Sequence, residues 1–481
     1  MLRAPYWNAL LVRWSMSCRY SRKEQQAGCM RARLQNTWEN SKASLWFIPT
    51  LFVVAALVVS SFLIELDGVL QVRRSGLVRW LVSGTPDAAR GVLAVIAGSL
   101  ITAISIAYSI SIVAIQQTSA QFSPRVLRTF TADRGNQRVL GAYIGTFIYA
   151  LLVMRQIREA VDDAASFVPA LSLITALIFA LSCLGLLIYF IHHISQLLQV
   201  SVIIDHVHRD LIQEIERLYP AGVKWGLIDV EPSAGRSEPF VREATPQYLR
   251  STREGFLRSI DDQTLVEGSD GSAAWVWVKP QVGDYIPSHG VLAVIAPEAA
   301  LDEDQLDQLR EAFVLDIERT MHQDPLFGIR QLVDIGLKAL SPAINDPTTA
   351  EYCLSHLGDA LSRLGQRAFP SNERVGVRGE TRYVFSRPTW EDFVEAAFAQ
   401  IRHQAADNLH VTAYLVRVLQ AVASCLPPGD RAAAIQRELD GIRYGLDKGQ
   451  FSPTDTGTVR RLVEAAEATL RQPAPPQARQ P

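Results

Sequence analysis

The stretch GVLAVIAGSLITAISIAYSISIVAI, residues 91–115, decides the class of this protein. It carries no charge, and it exceeds the roughly 20 apolar residues that an α-helix needs to cross a bilayer core. Three comparable stretches surround it. LWFIPTLFVVAALVVSSFLI lies upstream, and VLGAYIGTFIYALLVM and FVPALSLITALIFALSCLGLLIYFI lie downstream. The spacing predicts four membrane spans at approximately 45–65, 91–115, 139–154 and 166–191. The third is short and bounded by Arg138 and Arg155, whose long side chains can snorkel to the interface.

Basic residues set the expected orientation. Arg3, Arg13, Arg19, Arg22, Lys23, Arg31, Arg33 and Lys42 precede the first span. The loop between the third and fourth holds only Arg155 and Arg158, beside Glu159, Asp162 and Asp163. An excess of Lys and Arg on the cytoplasmic side predicts a cytoplasmic N-terminus, and four crossings return the chain there. The expected location is the bacterial inner membrane, with both termini cytoplasmic. No cleavable signal peptide is legible: the apolar stretch Ala9–Val12 is too short for one. Residues 1–44 read as a basic arm and a lead-in helix, with Met30 as an alternative start of the chain.

The second span is more than an anchor. Gly98, Thr102, Ser105, Ser109, Ile112 and Gln116 step by four and three and so share a helix face. Ser172, Thr175, Phe179, Ser182, Leu186, Tyr189, His193 and Gln196 form a similar stripe on the fourth. Two readings fit such stripes. Small residues and hydroxyls let helices approach and bond; alternatively, Thr102, Ser105, Ser109 and Gln116 line a water-filled path through an oligomer. The pair Gly141 and Gly145 is a small-xxx-small motif of the packing kind.

Beyond the spans the composition changes, and most acidic residues follow residue 200. Residues 192–220 read as a helical stalk. A cytoplasmic α+β domain is expected over 245–370, with strands at EGFLRSI, AAWVWVK and FVLDIERT, a helix at DEDQLDQLREAF, and a hairpin turning at Pro287–Gly290. That hairpin is similar to those of small barrel-sandwich modules but has no lysine at its turn, so no covalently carried cofactor is expected. Four amphipathic segments make 381–470 a helical C-terminal region, and the Pro- and Gln-rich residues 471–481 read as a disordered tail. The fold class expected is therefore an α-helical membrane domain of four transmembrane helices, a cytoplasmic α+β domain, and a helical C-terminal region.

The most distinctive passage is FGIRQLVDIGLKALSPAINDPTTA. A helix ending at Ser341-Pro342 is followed by Asn345, Asp346 and Pro347. Asp346 suits an N-cap and Pro347 a first helical position, with Thr348 and Glu351 spaced as a capping box. Asp324, Arg330, Asp334 and Lys338 are spaced as a charged ladder. The corner Ser341, Pro342, Asn345, Asp346 and Pro347 reads either as a capped structural turn or as a small-ligand site at a helix N-terminus. With QFSPR after the second span and GDYIPSHGVLAVI, this passage resembles a bacterial family of uncharacterised predicted membrane proteins. The resemblance supports location and layout and brings no activity with it.

The net charge of −2 marks no nucleic-acid partner, and Cys18, Cys29, Cys183, Cys353 and Cys425 show no metal-site or disulfide spacing. Phosphate-loop, GxSxG, HExxH and dinucleotide-binding motifs are absent, so neither an enzyme nor a metal or cofactor is expected. Two functions fit: an oligomeric channel or pore-like protein regulated by its cytoplasmic domain, or a membrane-anchored sensor or scaffold binding a cytoplasmic partner or small ligand. The expected partners are the lipid bilayer and further copies of the chain.

Overall fold

The computed structural model describes residues 46–70, 85–121, 133–158, 167–197, 199–219, 227–229, 246–269, 273–297, 301–376, 381–427, 429–449 and 451–471. The expected basic arm, the QFSPR segment past Gln121 and the tail past Arg471 lie outside them. The chain divides into two compact units, Met1–Gln199 and Val200–Pro481.

The first unit holds four helices long and apolar enough to cross a membrane: α1 (Phe47–Leu70), α2 (Pro86–Gln121), α3 (Arg134–Gln156) and α4 (Ala170–Leu197). Each overruns at least one of its expected bounds. Charged residues that looked like span limits sit inside helices: Glu65 in α1, Arg138 and Arg155 in α3. The third helix is therefore not short. It is the hub of the bundle, more deeply buried than the other three.

A close approach of α1 explains that position. A Cβ on Gly141 would lie 2.8 Å from Phe52 Cδ2, and one on Gly145 would lie 3.1 Å from the Phe52 carbonyl oxygen. The two glycines thus let the α1 backbone press against α3, as small-xxx-small pairs do. On its other sides α3 sends Tyr143 and Tyr149 toward α4, where their hydroxyls donate to the Cys183 and Ser172 carbonyls at 2.9 and 3.0 Å. Leu93, Leu140, Ala176 and Phe190 help to fill the interior.

The second unit begins with α5 (Val200–Leu218), so the expected stalk is shared between two helices: its first part belongs to α4, which ends at Leu197. Next come β1 (Leu227–Asp229), β2 (Gln247–Arg250), β3 (Gly255–Ile260), α6 (Asp262–Ser269), β4 (Ala273–Val278), β5 (Tyr285–Ile286), β6 (Val291–Pro297), α7 (Glu303–Glu311) and β7 (Phe313–Asp316). Then α8 (Pro325–Ala339) and α9 (Pro347–Leu364) lead to β8 (Glu373–Gly376) and β9 (Arg382–Phe385). The chain closes with α10 (Trp390–Gln404), α11 (Leu409–Cys425), α12 (Ala432–Lys448) and α13 (Pro453–Arg471).

Two sheets form. One has the order β1-β8-β9-β4-β6-β2, and the other β5-β3-β7. The pairing of β4 with β9 is parallel, the rest antiparallel. The expected hairpin at Pro287–Gly290 is corrected here. The turn exists, with the Gly290 amide donating to the Pro287 carbonyl at 2.8 Å, but β5 pairs with β3 while β6 pairs with β4 and β2. It carries the chain from one sheet to the other. Because β8 and β9 join strands that precede α8, the boundary expected between residues 370 and 381 falls within one sheet.

Asp324 ties this unit together rather than opening a charged ladder. Only 2% exposed, it accepts from the Phe327 amide at the start of α8 and pairs with Arg319. Gly283, at φ +98°, lies where any Cβ would strike both of those side chains. Arg330 and Asp334 do pair, at 2.9 Å.

The bundle's dependence on the α1–α3 contact is testable. Gly145→Ala combined with Gly141→Ala should destabilise the purified protein by about 1–3 kcal/mol, the usual cost of overpacking. Gly98→Ala, where a Cβ meets nothing within 4 Å, should leave the detergent melting temperature unchanged.

Candidate functional site

The polar stripe of α2 points away from the bundle. Gly98, Thr102, Ser105, Ser109, Ile112 and Gln116 are all exposed, whereas Leu93, Ala97, Leu100, Ala107 and Ser111 face inward. The hydroxyls satisfy themselves. Thr102 donates to the Gly98 carbonyl at 3.1 Å, Ser105 to that of Ile101 at 2.9 Å and Ser109 to that of Ser105 at 2.8 Å. A hydroxyl bonded back to its own helix can face a low-dielectric surrounding without an unmet donor. The stripe therefore takes no part in packing this bundle.

The α4 stripe behaves differently. Ser172 is buried, Thr175, Phe179, Leu186 and His193 are half-buried, and Ser182, Tyr189 and Gln196 are exposed. The expected single face is corrected by helix geometry. A step of three residues turns the helix about 300°, so the stripe is two rows about 60° apart: Phe179, Leu186 and His193 lie on the half-buried row, and Ser182, Tyr189 and Gln196 on the exposed one.

Two buried or half-buried carboxylates hold the bundle ends, and neither was among the expected site residues. Asp67 accepts from the Leu171 and Ser172 amides at 2.9 and 3.0 Å, and from the Ser172 hydroxyl at 2.8 Å. It thereby satisfies the exposed amides and the positive dipole end of α4. Asp133 caps α3 through the Asn136 amide at 2.7 Å and meets His193 Nε2 at 2.8 Å. A Cβ on Gly135 would sit 2.5 Å from that nitrogen, so the residue there must be small. Asp133 stands six positions before Val139, where the apolar run begins, so an N-cap there had only a weak sequence signal. Asp67 gave none, because its partners are about a hundred residues away.

In the second unit the corner after α8 is a capped turn. The Ser341 hydroxyl donates to the Lys338 carbonyl at 2.7 Å, and the Asn345 and Asp346 amides donate to the carbonyls of Ser341 and Ala339, both at 2.8 Å. Asn345 takes φ +46°, which Asn tolerates better than most residues. Asp346 caps α9 through the Thr349 amide at 3.2 Å and its hydroxyl at 2.6 Å, and Pro347 fills the first helical position. The expected capping box of Thr348 and Glu351 does not form, since Glu351 faces His410 at 2.8 Å. Pro342 and Asn345 are exposed.

A pair of histidines joins α5 to α9. The His208 and His356 rings stand 4.5 Å apart, and His208 Nε2 lies 3.0 Å from Asp359. Burial holds both imidazoles below their ordinary value of 6.5; for His208 this outweighs the pull of Asp359, and for His356 the neighbouring His208 adds to it. Among the described residues, no three His, Cys, Asp or Glu side chains are grouped to hold a metal.

Comparison with known proteins places the chain in a family. The family model described as Predicted membrane protein (DUF2254) matches residues 42–421, and the chain belongs to that family. Uncharacterized protein MT1328 of Mycobacterium tuberculosis and Uncharacterized protein Mb1321c of Mycobacterium bovis are each 31% identical to it over 445 residues. Each alignment covers 90% of this chain and 83% of the relative. No solved structure matches it significantly.

The histidine pair gives a pH prediction. Groups whose folded pKa is depressed bind fewer protons in the folded state than in the unfolded chain, so stability falls as pH drops below about 6.5. The melting temperature should therefore fall by several degrees on acidification through that range, and His208→Gln with His356→Gln should flatten the profile.

Proposed function

We propose that this member of the family is an oligomeric, pore-like protein of the bacterial inner membrane, in which the α2 stripes of several copies face a shared axis and the second unit regulates passage. One observation carries the reading. Thr102, Ser105, Ser109 and Gln116 all lie on the outside of a bundle whose own interior holds an extended apolar core. An outward polar face is what a path shared between copies would need. The positive residues ahead of α1 support a cytoplasmic N-terminus, and four crossings then put the second unit in the cytoplasm. The reading has no catalytic step and calls for no nucleic acid.

The alternative is a membrane-anchored sensor or scaffold without a pore. What favours it is the back-bonding of the three hydroxyls, which lets the same face meet lipid. At the corner, the Asp346 carboxylate and the Asn345 and Asp346 amides are already occupied, which weakens its small-ligand form.

Single cysteines at 102, 105 and 109, placed in a chain freed of its own cysteines and probed with a membrane-impermeant thiol reagent, separate the two. A pore makes all three react in sealed membranes; complete protection favours the scaffold. In liposomes, Ser105→Leu with Ser109→Leu should abolish ion flux. Absence of flux through the unmutated protein under every ionic condition would sink the channel reading.

A further inference from the structure

The larger sheet of the second unit has two unlike faces. On one, Leu249, Val276, Val278, Ala293, Ile295 and Tyr383 are completely buried against the unit's core. The alternate positions point the other way, apart from Leu292, which is buried in the same core. Registered across the strands, Val384, Trp277, Val294 and Tyr248 form one row, and Arg382, Trp275 and Ala296 the next. None of these side chains is buried to the degree of the core face: Tyr248 is exposed and the rest are half-buried. The face is thus apolar and aromatic at its centre.

Its rings carry cations. Lys279 Nζ sits over the Trp277 ring, the Arg382 guanidinium lies 5.3 Å from the centre of the Trp275 ring, and that of Arg250 lies 5.8 Å from the centre of Tyr248. Glu373 is the one acidic residue at the outward positions of these strands among the described residues.

This combination discriminates between occupants. A second copy would meet the face through a two-fold axis, which sets the same patch against itself and brings Arg382, Lys279 and Arg250 against their own kind. The charge complement is an anionic partner. Trp and Tyr rings with Lys and Arg beside them are the groups that settle at the boundary between headgroups and acyl chains, with cations reaching lipid phosphates. Such a surface is carried on the same chain, because the last apolar helix ends at Leu197 and this unit begins at Val200. A short tether keeps the local concentration of that surface high.

We propose that the outward face of the six-stranded sheet, centred on Trp277 and Val294 and edged by Lys279, Arg382 and Arg250, docks on the anionic lipid surface of the membrane that the chain crosses. It rests on the crossing by α1–α4 and is independent of whether anything is conducted. Docking would place the second unit's aromatic face in the interface, and releasing it would take a change in surface charge.

The test uses the full chain in lipid nanodiscs, with a nitroxide on Val294→Cys and the native cysteines replaced. In phosphatidylglycerol discs the label should become accessible to oxygen and shielded from a water-soluble nickel complex. In phosphatidylcholine discs it should stay open to the nickel complex, with a docking equilibrium weaker by roughly a hundredfold for the loss of three cation–headgroup attractions. Lys279→Glu with Arg382→Glu should return the phosphatidylglycerol sample to the phosphatidylcholine result. A label open to nickel in both discs overturns the proposal, even if the same protein conducts ions. A label shielded equally in both discs and in detergent overturns it in favour of a protein cover. Shielding in phosphatidylcholine discs that appears only on adding a single-stranded oligonucleotide overturns it in favour of nucleic acid.

Discussion

The contact between Phe52 and the two glycines of α3 sets the arrangement of the first unit. With no side chain at Gly141 or Gly145, α1 can lie against α3 at backbone distance, and α3 becomes the helix that the others surround. In a lipid environment close van der Waals packing of this kind replaces the hydrophobic effect as a cause of helix association. The remaining polar groups then find places consistent with it. Tyr143 and Tyr149 reach α4 carbonyls, Asp67 caps α4, and Asp133 caps α3 while holding His193. Every one of these bonds ties an end or a face of one helix to a neighbour, and none requires the α2 stripe.

The second unit is organised by a different device, a buried carboxylate. Asp324 joins the N-terminus of α8 to Arg319, and the turn at Gly283 presses on both. Nearby, the Gln323 amide donates to Glu214 of α5 while its side chain bonds both the Ile260 amide and carbonyl on β3. Helix α5, the start of α8 and the smaller sheet therefore meet within a few residues. Removing either partner of a buried ion pair leaves the other without compensation, which makes such a junction intolerant of substitution.

Much of this was legible in the sequence, and the failures have physical causes. Four uninterrupted apolar runs identify the four helices because nothing else in a chain demands them. Their limits were misjudged where charges occur, since Glu65 and Arg138 look like boundaries although the helices run past them. The Gly141–Gly145 pair and the Asp346-Pro347 corner were readable because both are local rules of backbone geometry. The Pro287–Gly290 turn was also local, but a turn does not say which strands its flanks will pair with. Neither Asp67 nor the pairing of β4 with β9 could be seen, because each depends on residues about a hundred positions apart.

The α2 stripe shows the sharper boundary of what periodicity can say. Spacing identifies which residues share a face, and Thr102, Ser105 and Ser109 do share one. It cannot say whether that face turns toward its own bundle, because small and hydroxyl-bearing residues suit both sides equally well. What decides is the competition for the interior. Opposite the stripe, α2 presents Leu93, Leu100 and Ala107, and these fill space beside α3 with more apolar area than serines could supply. The apolar face therefore takes the inside and the hydroxyls are left outside, bonded to their own helix. The same logic acts on the large sheet, where Val276, Val278 and Ile295 occupy the core and the tryptophans with their cations remain on the other side. In both units the surface left over is the one that packing had least use for, which is why function, where it depends on a partner, is best sought there.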